Sequence, residues 1–310
     1  MRAPEFEASL HEAKLYPQLW RLLLGVLFIV FIYISTVVPL SVGTVVAMAR
    51  SMAGEEPMTM FHITAALRTL QTNLAGTGGI ATPATVFFAL ATFAGLFAGP
   101  LLAAAAFHFR GPGSVFGPFG DWARGFGTAL MVQVPILAAI SLVGAWIDPP
   151  TANLAFGDWL RYLPLALPLI FLQTGAEEVL FRGYLQQQLA ARFAARVIWM
   201  GLPALAFALL HWSPAAGPNL PVILLSSFIF GLIAADLTEQ TGNLGAAMGL
   251  HFGNNFFGML VVAIANTITG LALYVSPSPL NEFGGMTLAM GISIVIMLVV
   301  WWITRRLLTR

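Results

Sequence analysis

The chain is 310 residues long, 58% hydrophobic and only 9% charged, with a formal net charge of +1 and no cysteine. An average soluble domain carries about 25% charged residues; this composition, with a mean hydropathy of +0.85, is that of an all-α, polytopic integral membrane helix bundle. It offers no basic field for nucleic acid and, lacking cysteine, excludes disulfides, iron–sulfur clusters and cysteine–zinc sites.

The first twenty residues hold Glu5, Glu7 and Glu12 ahead of a long apolar run and do not read as a cleaved signal peptide. Runs near the roughly 20-residue length of a spanning helix occupy 20–48, 83–107, 126–147, 160–190, 196–211, 220–236, 244–274 and 286–303. About eight transmembrane helices are expected, with seven as the alternative. The fifth run is short, and the fourth and seventh are long enough to kink or re-enter. Between Arg50 and Pro83, Met60, Ile63, Leu67, Leu70 and Leu74 recur at steps of three and four, the stripe of one interfacial amphipathic helix. The joint Gly76-Thr77-Gly78-Gly79 follows. Phe109 to Gly125, rich in glycine and proline, is expected to be a loop with Phe116 and Phe119 at the membrane interface.

Orientation follows from the basic residues. Arg2, Lys14 and Arg21, then Arg110 and Arg124, Arg192 and Arg196, and finally Arg305, Arg306 and Arg310 fall on one side of an eight-span arrangement. Both termini are then cytoplasmic, although Arg50 and Arg68 lie on the opposite side. Compact loops and an arginine-heavy composition point to a bacterial cytoplasmic (inner) membrane.

The fourth apolar run is interrupted by Glu177, Glu178 and Arg182. A charge at mid-membrane depth costs roughly 2.5–3.5 kcal/mol on insertion scales, so three together mark a site. Glu178 and Arg182 are four apart with the acid first, the favourable orientation for a helical ion pair. Glu177 sits about 100° round the helix and is left to face a cavity. His211 closes the fifth run with Phe207 one turn before it, and His251 lies in the seventh with Asn255 one turn on and Asn254 beside it. His11, His62 and His108 fall at termini or loop edges, where surface or interfacial roles suffice; Asp236 and Glu239, near Gly242, read as solvated.

Taken singly, each feature has a bland reading. Glu178–Arg182 can be a structural ion pair, His211 a helix-end histidine, Phe207 packing, and His251 with Asn255 an interhelical hydrogen-bond pair. Together they supply what is needed to bind and deprotonate a water, and Glu177, His211 and His251 can equally serve as three ligands of a divalent metal such as zinc. The conjunction favours an enzyme over a proton- or ion-coupled transporter.

Glu177-Glu178-Val-Leu-Phe-Arg182 fits EExxxR, Phe207-Ala-Leu-Leu-His211 fits FxxxH, and His251-Phe-Gly-Asn-Asn255 fits HxxxN. In order and separation these motifs resemble the CPBP family of intramembrane proteases, also called Abi, which comprises CAAX prenyl endopeptidases of the Ras-converting type and bacterial relatives linked to bacteriocin processing and self-immunity. The resemblance covers about residues 160–262. It implies a helical bundle that cleaves peptides near a membrane-anchored C-terminus. Glu177 would activate water with His211 as partner, His251 and Asn255 would stabilise the oxyanion, and Glu178 and Arg182 would position the first helix. Whether a zinc ion takes part is left open, as are a transport role and a non-enzymatic immunity or scaffold role on the same fold. The implied division is residues 1–158 for N-terminal membrane helices, 159–274 for a CPBP-like catalytic core, and 275–310 for a C-terminal helix and basic tail. The sequence contains no HExxH, no GxGD, and no Gly-x-Ser-x-Gly before a membrane histidine, which removes the zinc site-2, aspartyl and rhomboid types.

Overall fold

A computed structural model describes residues 2–75 and 79–309; Gly76–Gly78 of the expected joint lie outside the described residues. Two short helices, α1 (Pro4–Ser9) and α2 (His11–Leu15), lead into α3 (Leu19–Ala53). The amphipathic stripe folds as α4 (Met60–Ala75), which buries Ala66 and Leu70 against Val45 and Ala49 of α3. There follow α5 (Pro83–His108), α6 (Phe119–Ile147), α7 (Phe156–Ala190), α8 (Val197–Leu209), α9 (Pro214–Thr241), α10 (Gly245–Phe256) and α11 (Gly285–Leu308).

Among the described residues six helices are long and apolar enough to cross a membrane: α3, α5, α6, α7, α9 and α11. The protein is an all-α, polytopic membrane bundle, but the expected count of eight is not reached. The fifth run yields only α8, whose 13 residues rise about 20 Å at 1.5 Å each, short of a hydrocarbon core of roughly 30 Å. The seventh run is helical only through Val261, its last turn wound as π-helix. It then opens into β2 (Val262–Ala265) and, after Asn266 at a positive φ of 64°, returns through β3 (Tyr274–Pro279). With β1 (Thr151–Ala152) these form a small sheet ordered β1-β3-β2, antiparallel between β1 and β3 and parallel between β3 and β2. Side chains satisfy the non-helical backbone, as burial in a bundle requires: Asn153 Nδ2 donates to the carbonyls of Thr269 at 2.9 Å and Ala272 at 2.8 Å, and Trp159 Nε1 to that of Leu260 at 2.9 Å.

The contact that positions α10 is a stripe of glycines. Gly245, Gly249 and Gly253 recur every fourth residue and present bare backbone to α6. A Cβ at Gly249 would lie 2.7 Å from the Phe126 carbonyl oxygen, and one at Gly245 or Gly253 would meet the Trp122 carbonyl or the Gln133 side chain. Small residues spaced in this way allow two membrane helices to approach closely and gain dispersion that lipid cannot supply.

The helix ends hold polar residues that the sequence placed at the surface. His108 and Arg110 are buried; His108 Nε2 lies 3.1 Å from the Tyr184 hydroxyl, and Arg110 donates to the Ser114 carbonyl at 2.8 Å and to Gln187 Oε1. Glu239 is also buried, paired with Arg196 at 2.5 Å. Asp236 accepts from Trp301 Nε1 at 2.8 Å and Arg305 Nε at 3.0 Å. These acids therefore tie neighbouring elements together and are not simply solvated. The expected loop 109–125 is shorter than read, since α6 begins at Phe119.

Candidate functional site

The polar residues of α7 lie in its C-terminal half, where the winding changes from α to π over Val179–Gln186. Such π stretches occur frequently at functional sites. Arg182 Nη1 donates to Glu178 Oε1 at 2.9 Å, and the two side chains are 1% and 0% exposed. Arg182 Nη2 reaches the Gly231 carbonyl of α9 at 3.2 Å, and the guanidinium carbon lies 4.8 Å from the Phe207 ring centroid. The charge thus has a carboxylate, a carbonyl and an aromatic face around it, the compensation a buried cation requires.

His251 stands between the two glutamates. Its Nδ1 is 2.8 Å from Glu178 Oε1, and its Nε2 is 3.6 Å from Glu177 Oε2. The hydrogen-bond network assigns the tautomer. Glu178 accepts, so Nδ1 carries a hydrogen, and Nε2 is the nitrogen that faces Glu177.

On the other side Glu177 Oε1 accepts from Gln173 Nε2 at 2.8 Å, Gln173 Oε1 accepts from Asn255 Nδ2 at 2.7 Å, and Asn255 Oδ1 accepts from Asn254 Nδ2 at 3.2 Å. A continuous line runs from Asn254 through Asn255, Gln173, Glu177, His251 and Glu178 to Arg182. Glu177 Oε2 is buried without a hydrogen-bond partner, whereas the side chain as a whole is 13% exposed.

Glu177, Glu178, Arg182, His251 and Asn255 thus come together, with Phe207 packed on the arginine. His211 is placed differently from the expectation of a direct partner for Glu177. It lies just past the end of α8, half-buried, with Nδ1 donating to the Phe207 carbonyl at 2.9 Å and its ring 4.6 Å from that of Phe207. Among the described residues no hydrogen bond joins it to Glu177. The Phe207 ring, 5.9 Å from that of His251, stands between the two histidines. Phe230, 5.0 Å from the His251 ring, completes the aromatic wall.

Among the described residues no three histidine, cysteine, aspartate or glutamate side chains are grouped so as to hold a metal ion. His251 Nδ1 faces Glu178 and His211 Nδ1 the Phe207 carbonyl, which leaves the Nε2 atoms as the ones a ligand could meet. Gln173 and Phe230 had no role in the sequence reading. For Gln173 the signal was available, an amide four residues before Glu177 in an apolar run; for Phe230 none separated it from packing.

A family model described as type II CAAX prenyl endopeptidase, Rce1-like, matches residues 159–257, a stretch that includes every residue of the network. The chain is also similar to an uncharacterized protein, YyaK, of Bacillus subtilis (strain 168), at 26% identity over 139 residues. That match covers 44% of this chain and 46% of YyaK, so the similar region is about half the length of the relative. No solved structure matches. The resemblance carried by the three motifs is borne out: over residues 159–257 this membrane protein matches the Rce1-like family of type II CAAX prenyl endopeptidases.

Proposed function

We propose that the chain is an intramembrane endopeptidase that hydrolyses a peptide bond near the membrane-anchored C-terminus of its substrate, using a water activated by Glu177. The observation that carries this reading is the buried line Glu177–His251–Glu178–Arg182, in which one carboxylate is fixed by a guanidinium and the other keeps Oε2 unpaired. A structural ion pair has no use for a second carboxylate across an imidazole. A general base needs an oriented carboxylate with one acceptor position left for water.

In this reading Gln173 holds Oε1 and so aims Oε2 at the water. Glu177 takes a proton as the water oxygen bonds to the scissile carbonyl carbon. The resulting oxyanion is met by the second N–H of Asn255 and lies beside His251, which Glu178 orients through Nδ1. His211 presents Nε2 as a further polar group at the aromatic wall. Glu177 then passes its proton to the leaving nitrogen, the C–N bond breaks, and the carboxylate is restored. In this reading the protein lies in a bacterial cytoplasmic membrane with both termini inside, and prenylated CAAX-type peptides are the first substrates to try.

The test is cleavage of prenylated and unprenylated fluorogenic C-terminal peptides by purified full-length protein. Wild type is expected to cleave at least one of them. Glu177→Gln, matched in volume, is expected to lose about 10²–10⁴-fold in kcat, the range of a general base. A Glu177→Gln protein within tenfold of wild type would overturn the assignment.

A further inference from the structure

We propose that the concavity between α1, the end of α7 and the start of α8 binds the phosphate of an anionic phospholipid. Arg2 and Arg196 offer donors to it, and Arg192 supplies positive charge. The proposal goes beyond the proteolytic reading and does not depend on turnover. The concavity has a volume of about 750 Å³, and its charged lining is Arg2, Glu7, Arg192 and Arg196.

The charges there do not balance. Arg2 and Lys14 share Glu7, and Arg196 pairs with Glu239 at 2.5 Å, so four cations lining the concavity or paired with its lining meet two carboxylates. Arg192 is the cation left over. It donates to Gln188 Oε1 at 2.8 Å and to the Gln18 carbonyl at 3.1 Å, both neutral acceptors. Partial burial pulls its guanidinium below the ordinary range, so its charged form gains from a nearby anion. Donors within reach come from the rim. Each terminal nitrogen of Arg2 spends one of its two N–H bonds, on Glu7 at 3.3 Å and on the Phe193 carbonyl at 2.6 Å, and keeps the other. The Arg196 side chain is 56% exposed. Guanidinium groups match phosphate oxygens in geometry as well as charge.

The depth is that of a lipid headgroup. α7 ends at Ala190, α8 starts at Val197, and α3 starts at Leu19, directly after the Gln18 carbonyl that Arg192 holds. Three apolar helices therefore begin or end at the level of the concavity. Beyond it, Leu19, Leu23 and Leu27 of α3 and Val197, Leu202 and Leu205 of α8 are exposed. These two strips give acyl chains an apolar surface to lie on, immediately next to the cations. A soluble phosphate uses the cations alone, whereas an anionic phospholipid uses both parts, as basic pockets between membrane helices do.

The probe is phosphatidylglycerol with a diazirine in one acyl chain, added to purified full-length protein in neutral maltoside micelles, with crosslinks mapped by mass spectrometry. Phosphatidylcholine with the same chains is the zwitterionic comparison, and glycerol 3-phosphate is the soluble competitor. Phosphatidylglycerol is expected to crosslink to the exposed strips of α3 or α8 at least about tenfold more than phosphatidylcholine. Arg2→Gln should lower that yield about fivefold, and Ala194→Glu, which sets an acid at the exposed edge of the concavity, by about as much. Ala194→Gln should leave it unchanged, which separates charge from shape. Equal yields for the two lipids, or a phosphatidylglycerol yield unmoved by both Arg2→Gln and Ala194→Glu, would overturn the site. Displacement of the lipid by an equal concentration of glycerol 3-phosphate would overturn the lipid assignment in favour of a soluble phosphate.

Discussion

Replacing Arg182 with methionine removes the guanidinium that compensates Glu178 while keeping much of the side chain's volume. At the observed separation of 2.9 Å and an effective dielectric of about 20, the attraction is about 6 kcal/mol. Desolvation of both groups offsets part of it, and breaking a fully buried pair by removing one partner costs about 3–5 kcal/mol. The Gly231 carbonyl also loses its donor, about 1 kcal/mol more. Glu178→Gln breaks the same pair from the other side and strands the buried guanidinium, so it should cost a similar amount. The double variant should be more stable than the sum of the two single losses by about 2 kcal/mol or more. The assay is equilibrium unfolding of purified protein in mixed micelles, followed by circular dichroism. A loss under about 1 kcal/mol for Arg182→Met, or strict additivity in the cycle, would refute the picture of a charge held in place by its partner.

Gln173→Met deletes the hydrogen bond that orients Glu177 and should lower kcat by about 10- to 150-fold, corresponding to about 1.5–3 kcal/mol for a bond to a charged group, with the unfolding midpoint little changed. Gly249→Ala puts a Cβ 2.7 Å from the Phe126 carbonyl oxygen and 2.8 Å from the Ala129 Cβ. It should cost about 1–3 kcal/mol in the same unfolding assay and reduce cleavage by shifting His251. At the N-terminus, the hydrogen bond from the Lys14 ammonium holds the Glu7 carboxyl below its ordinary range. Since the folded-state pKa is the lower one, the stabilisation is present above the unfolded value, about 4.3, and is lost as pH falls through the folded one. Hydrogen exchange of residues 4–15 should therefore accelerate below about pH 4 in wild type and be less dependent on pH in Glu7→Gln.

Much of the site was legible because the membrane makes polar residues conspicuous. Glu177, Glu178, Arg182, His251 and Asn255 stand out in apolar runs, and spacing alone paired Glu178 with Arg182. What spacing could not supply was the pairing between helices. His251 of α10 lies 3.6 Å from Glu177, on a helix packed on α6 through its glycine stripe, and His211 lies just past the end of α8. The stripe itself was readable as small residues every fourth position. The seventh run is not one continuous helix for a physical reason: hydropathy scores Val262 to Ala272 as membrane, but β-branched residues around Asn266 favour strand and turn, and paired strands can satisfy the backbone as a helix does. His108 and Glu239 were misjudged because a position near a helix end says nothing of the N-terminal helices that fold over it.

On the proposed reading Glu177 is the base that activates water. The measurement to make is the wild-type cleavage rate after exhaustive chelation, with metal content checked by elemental analysis, beside Glu177→Gln under the same conditions. An unchanged wild-type rate in metal-free protein, with loss of cleavage in the variant, is the expected result. Cleavage that disappears with the metal and returns on adding zinc would contradict the reading.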